Sequence, residues 1–277
     1  MIKFTIGSDP EVFFQNNDGS FMSAIGKIGG TKKEPLQLLH LPKGFCVQED
    51  GVAVEFNIPP ANTSDAFAQN IQIMVTHLEQ KAKDLNVRLS ITPSARFGWP
   101  DLQHPNAQQF GCDPDFNAWR NGEENPKPKC DDPLLRTAGG HIHVGTELPT
   151  IMCVRAHDLF LGAPSLIFDK DHRRRKLYGN AGAHRETEFG HEYRVLSNFW
   201  ISHTKLVKWV YSRIIKSLEF VNGAVIMGIA AKDFLRSDED LITRTINEND
   251  LQRLDRLNLK YRILEDLPGV SSVYADS

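Results

Sequence analysis

Hydrophobic and polar positions change period several times along this chain, and each change marks an element. The opening "IKFTIGSDPEVFF" reads as a strand, a tight break at Gly7 and Ser8, and a second extended segment. "GFCVQEDGVAVEFNIPP" carries Asp50 and Gly51 between two β-rich runs, the strongest short-range hairpin signal. With Asp50 and Gly51 as the two loop residues, Glu49 faces Val52, Gln48 faces Ala53, Val47 faces Val54 and Cys46 faces Glu55. Val47, Val52, Val54 and Phe56 then make a dry face, and Gln48, Glu55 and Asn57 a chemical one. The period next becomes helical: capping residues precede Phe67, Ile71, Met74, Val75 and Leu78, which predicts a helix from about Ser64 to Leu85 on the dry face. "TIMCVRAHDLFLGAPSLIF" and "SHTKLVKWVYSRIIKSLEFV" read as further helices, and the stretch from Lys232 onward as charged and helical. Residues 96–136 have no period and are rich in Pro, Asn, Gly and Asp. Such a segment is an ordered loop insertion near a site, and its Trp99, Phe116 and Trp119 are candidates for selecting a substrate.

Within this pattern one device recurs: two polar side chains at i and i+2, which a strand points to the same side. Asp9 with Glu11, Glu55 with Asn57, His141 with His143 and Glu192 with Arg194 all have it. Each has a bland reading. "DPE" suits a solvated turn, the "EDG" hairpin an exposed one, and "HIH" between glycines a hydrogen-bonded core pair. Arg173, Arg174 and Arg175 suit a solvated helix end. On one sheet, however, the four pairs line a floor. Gathered carboxylates repel and protonate unless cations hold them ionised. A carboxylate-rich cluster with one or two histidines suits Mg2+ or Mn2+ better than zinc, and arginines beside it suit phosphate.

Composition narrows the classes. The chain has 277 residues, 40% hydrophobic and 24% charged, enough for one large core, and residues 1–277 read as a single domain with the 96–136 insertion. A net charge of -3 and a pI near 6.4 give no reason to expect nucleic acid as a partner. The scattered Cys46, Cys112, Cys130 and Cys153 form no CxxC pair, which fits a reducing cytoplasm. No apolar run reaches the roughly 18 residues of a membrane span, so a soluble, unprocessed protein is expected.

Taken in order, "SDPEVFF", "EDGVAVEF", "GGHIHVG", "RRRKLYGNAGAHRETEFG" and "HEYRVLSNFW" resemble the glutamine synthetase and glutamate-cysteine ligase superfamily, and within it the phage-type amidoligases (COOH-NH2 ligase type 2). The resemblance spans roughly residues 5 to 205. It implies an α+β fold with a glutamine-synthetase-like catalytic domain: a curved, mainly antiparallel sheet with the site on its concave face and helices on the convex face. It also implies an ATP-dependent carboxylate-amine ligase that forms an amide through an acyl phosphate, with ATP and two divalent ions, Mg2+ or Mn2+. Glu11 and Glu192 would ligate metal where carboxylate and γ-phosphate meet, with Glu55 between the two ions and His141, with Asp9, on the nucleotide side. His143 and Arg194 would face ATP phosphates, and Arg185, with Arg136 or Arg175, would steady the transferred phosphoryl group. Glu188, Glu186 and Asp113 are candidates for the base that takes the amine's proton. Asp9 stands where Glu is commoner, and Glu49 and Asp50 compete for a further acid role. The N-terminal β-grasp domain of true glutamine synthetases is missing. Partners are then a small-molecule or peptide carboxylate and an amine, and a homo-oligomer stays open because a neighbouring subunit can complete such a pocket. The rival classes are a metal-dependent amide hydrolase and a non-catalytic binding protein with a ligase fold.

Overall fold

The computed structural model describes residues 2–108 and 115–269. Its first strands are β1 (Phe4–Ser8), β2 (Glu11–Gln15), β3 (Phe21–Met22), β4 (Leu36–Gln37), β5 (Cys46–Asp50), β6 (Ala53–Ala61), β7 (Arg88–Ser90) and β8 (Ser94–Arg96). Then come β9 (Phe116–Asn117), β10 (Glu123–Glu124), β11 (Leu135–Thr137), β12 (Ile142–Thr146), β13 (Ala183–Thr187) and β14 (Gly190–Tyr193). The helices are α1 (Ser64–Asp84), α2 (Thr150–His157), α3 (His172–Leu177), α4 (Thr204–Ile226), α5 (Glu239–Glu248) and α6 (Leu251–Tyr261). Among the described residues, twelve strands join one sheet whose spine runs β10-β9-β13-β14-β12-β1-β6-β2-β3, while β8 and β11 pair apart. Every pairing is antiparallel, so the fold is α+β.

The opening strand breaks at Asp9 and Pro10, not at Gly7 and Ser8. Pro10 has no N–H to give a ladder, yet the register runs straight through it. Ser8 lies opposite Ile58 and Glu11 opposite Glu55, and between them the Phe56 N–H donates to the Pro10 carbonyl at 3.1 Å. On the other edge Ser8 lies opposite Ile142, and the Glu11 N–H donates to the Gly139 carbonyl at 2.9 Å. Residues 8–12 therefore run as one strand through Asp9 and Pro10, with β6 on one edge and β12 on the other, while the pairing with β6 shifts between Ile6 and Ser8.

The hairpin turns one residue later than expected. Asp50 pairs with Ala53, Glu49 with Val54, Gln48 with Glu55, Val47 with Phe56 and Cys46 with Asn57, leaving Gly51 and Val52 in the turn. Gly51 takes φ 55°, and such a turn places glycine first. The shift keeps Val47, Val54 and Phe56 on the dry face, but it moves Val52 to the site-side cluster and brings Asp50 into the ladder beside Glu55.

Alternation sorts the sheet into two sides. Val12, Phe14, Val54, Phe56, Ile142, Val144 and Tyr193 join the main core with α1, α2 and α4. Thr63 caps α1 by accepting from the Ala66 N–H, and Phe67, Ile71, Met74, Val75 and Leu78 are buried as the spacing predicts. Phe67 stacks on Trp200 with centroids 5.8 Å apart. The site side has a smaller cluster, in which Phe13 meets Phe97 and Phe21 edge-on at 5.5 and 5.9 Å.

Two stretches differ from expectation. Helix α2 stops at His157 and continues as a π-helical turn, Asp158–Gly162, and a 3-10 turn, Pro164–Ile167. The 96–136 segment is partly woven into the sheet: β9 pairs with β13 through Asn117 opposite Ala183, and β11 pairs with β8. Trp119 is buried and donates to Asp158 at 2.6 Å, whereas Trp99 is exposed. Cys112 and Asp113 lie outside the described residues. No helix among the described residues is long and apolar enough to cross a membrane.

Candidate active site

Register places the i, i+2 pairs in three rows across one face. The first runs Gln48, Glu55, Glu11 and the third Gly7, His143, Glu192, Arg185. Between them, one step along the same registers, lie Asn57, Asp9, His141 and Arg194. The glycines of "GGHIHVG" make room for this packing. A Cβ on Gly139 would lie 2.4 Å from the His141 ring nitrogen, and one on Gly140 2.5 Å from Trp200 Nε1.

Over the floor lies a cleft of about 860 Å³, lined among others by Glu11, Asp50, His141, Arg185 and Arg194. At one end the charges answer each other. His141 Nδ1 lies 3.2 Å from Glu192 and 3.6 Å from Asp9, His143 Nε2 is 3.2 Å from Asp9, and Arg185 is 3.5 Å from Glu192. Arg194 pairs with Glu192 and, at 3.4 Å, with Asp115. Burial pushes the Asp9 carboxyl up, but the charge of His143 and hydrogen bonds from both histidines hold it well below the usual range. Burial and Asp9 likewise push Glu192 up, and His141 and Arg194 overcome them to hold it at about 2. Burial lowers both histidines, and their acidic neighbours more than restore them.

At the other end the charges do not balance. Ligand oxygens of Glu11, Asp50 and Glu55 lie within 4.8 Å of one another. Glu11 Oε2 accepts from the Gly139 N–H at 2.7 Å, Gln48 donates to Glu55 at 2.8 Å, and Lys32 pairs with Asp50 at 2.8 Å. Burial and Asp50 still raise the Glu11 carboxyl, and burial with Asp9, Asp50 and Glu11 raises Glu55 strongly. Three crowded carboxylates with oxygen donors alone suit a hard divalent cation. The Asp9, His143 and Glu192 ligand atoms form a second group within 4.8 Å of one another.

Not every expected residue reaches this floor. Arg175 is buried behind the sheet, donating to Ser165 at 3.1 Å with Asp169 at 3.4 Å. Arg136 lines the cleft while donating to the carbonyls of Ala107, Pro133 and Leu135. Glu49 is occupied by the Ile28 and Gly29 amides, which leaves the extra acid position to Asp50. Glu186 is exposed and lies opposite His191, whose side chain faces the core; Glu188 is exposed in the turn beyond. Arg174 and Arg175 are buried rather than solvated, and Arg174 lines the cleft. From the sequence Arg174 reads as part of a solvated helix end, and Asp115 and Lys32 carry no signal because each comes from a segment without period.

Residues 135–266, just under half of the chain, match the family described as phage phiEco32-like COOH.NH2 ligase-type 2. That half is similar to the phage-type ligases. The match takes in the His-x-His and Glu-x-Arg strands and supports the branch that the ordered motifs suggested. No curated protein matches in sequence. A solved structure titled "GmaS/ADP complex-Conformation 1" aligns with 96% of this chain and 74% of its own at 11% identity, with a TM-score of 0.38, too loose a likeness to assign any residue a role. Asp9, Glu11, Asp50 and Glu55 lie outside the matched stretch, and the sheet brings them against the ligase-like strands.

Proposed function

We propose that this chain is an ATP-dependent carboxylate-amine ligase. The observation that carries the reading is a floor with two carboxylate-bearing groups in adjoining rows, beside two arginines and under a cleft roomy enough for a nucleotide and a small substrate. Amide formation in water is uphill, so a substrate carboxylate oxygen first attacks the γ-phosphorus of ATP and the bond to ADP breaks. The amine then attacks the acyl phosphate carbon, the carbon–oxygen bond to phosphate breaks, and the amine's proton leaves to a base. Glu11, Asp50 and Glu55 would hold one divalent ion, and Asp9, Glu192 and a histidine of the His141–His143 pair another. When bound, such ions neutralise phosphate charge and keep attacking and leaving oxygens in line.

The chain's own groups supply the rest. Glu192 anchors Arg185 and Arg194, whose planar forks face the cleft and suit a transferred phosphoryl group. Asp115, beside Arg194 on the cleft wall, is the described carboxylate best placed to accept the proton. Substrates are a small or peptide carboxylate and an amine.

The test is ADP release by purified protein with ATP and Mg2+ against pooled amino acids and short peptides, with mass spectrometry for the product. Amine-dependent ADP release and a product lighter than its two parents by one water are expected. Amide hydrolysis with no ATP consumed would overturn the ligase reading in favour of a metal-dependent hydrolase.

A further inference from the structure

Lys32 is among the cations of the cleft that have no task in this scheme. Residues 26–33, "GKIGGTKK", form a loop above the hairpin end, and Gly30, Thr31, Lys32 and Lys33 line the cleft. Glycine sets its shape: Gly26, Gly29 and Gly30 take φ of 72°, 77° and 75°. At Gly30 a Cβ would lie 2.6 Å from the Val47 carbonyl oxygen. The near side is moored, since Glu49 accepts from the Ile28 and Gly29 amides at 3.2 and 2.9 Å. Past Gly30, Lys32 reaches Asp50 at 2.8 Å, with its own side chain 41% exposed. Its charge also bears on Glu11 and Glu55, so the ammonium serves all three carboxylates.

The geometry points to Lys32 as a placeholder: its ammonium holds the Glu11, Asp50 and Glu55 trio until a divalent cation takes Asp50, and its release frees residues 31–33 to move over the cleft. The inference rests on the trio being a cation site, as in the proposed function. A lysine meets the trio with one compact charge on a flexible stem. A divalent ion draws on several oxygens at once and repels an ammonium sharing one of them. The Glu49 mooring survives the exchange, which confines the movement to the segment past the Gly29–Gly30 pair.

The experiment titrates Mn2+ alone, without nucleotide, into wild type and Lys32→Gln, reading free Mn2+ by electron paramagnetic resonance and amide exchange over residues 29–33 by mass spectrometry. Lys32→Gln should bind Mn2+ about tenfold tighter, the scale of one unit charge removed from beside a divalent site. Wild-type exchange should quicken on adding Mn2+ to the level the variant shows without it. Equal affinities, or exchange indifferent to Mn2+, would overturn the placeholder. Mn2+ bound by neither protein overturns it together with the metal assignment. The expected shifts without any ADP release from ATP keep the placeholder and remove the ligase reading.

Discussion

Glu192 and Asp158 are both buried carboxylates that touch strand β14, one from each face, and their ionisation goes opposite ways. Asp158 accepts from Trp119 at 2.6 Å and Tyr193 at 2.8 Å, yet burial lifts it to about 7. Behind the same strand His157 and His191 share a 3.0 Å contact, and burial lowers both, His191 to about 3. Glu192 is as deeply placed but faces His141 and Arg194, and stays at about 2. Hydrogen bonds from neutral donors do not offset burial here, whereas cations do. On the back face burial favours the neutral forms, whereas at the Glu192 end of the front the cations keep the carboxylates charged.

The largest expected break of this comparison is on the front. Glu192→Gln or Glu11→Gln should cut ATP turnover at least about a hundredfold, as when a charge-stabilising group is removed, while the thermal unfolding transition remains cooperative. Near-normal ADP release from either variant would count against the metal assignment. On the back, Tyr193→Phe should lower unfolding free energy by about 1 to 3 kcal/mol, leaving a buried carboxyl short of a donor, and spare turnover. Denaturant titration with parallel activity assays checks it.

The pH dependence sharpens the contrast. Asp158 is raised from 3.8 to about 7, so its proton favours the fold at low pH, and that stability is lost as pH climbs through the window. Melting temperatures of Asp158→Asn should therefore gain on wild type between about pH 4 and 7. Glu192 is lowered from 4.5 to about 2, so its contribution is present above 4.5 and lost as pH falls towards 2. Wild type and Glu192→Gln should converge over that range. The smallest effect belongs to Glu186→Ala, with turnover unchanged within about twofold, because the residue is exposed and lies opposite His191 rather than in the rows of the floor. A larger loss in a kinetic assay would return Glu186 to the list of bases.

Much of this floor was legible because strand alternation is local. Asp9 with Glu11, and His141 with His143, share a face by spacing alone, and α1 announces its buried stripe through Phe67 to Leu78. The hairpin's faces survived because moving the turn by one residue shifts the pairing by two, an even number; the places of Asp50 and Val52 alone depended on it. Strands β9 and β10 were illegible: two residues each, and β9's other partner, β13, begins at Ala183, far along the chain. Arg174 and Asp115 escaped for the same reason, as their neighbours Glu11 and Arg194 are distant in sequence.

The continuous register from Ser8 to Val12 also sets where this protein tolerates a change of length. One residue added between Ser8 and Glu11 would turn either the acids or the apolar side chains beyond them to the wrong side, since both edges of that strand are already claimed by β6 and β12. The exposed turn at residues 17–19, past the end of β2, can lengthen without entering either of those ladders. Anyone grafting a tag, a reporter or a new recognition loop onto this scaffold should cut there and leave the first fifteen residues at their present count.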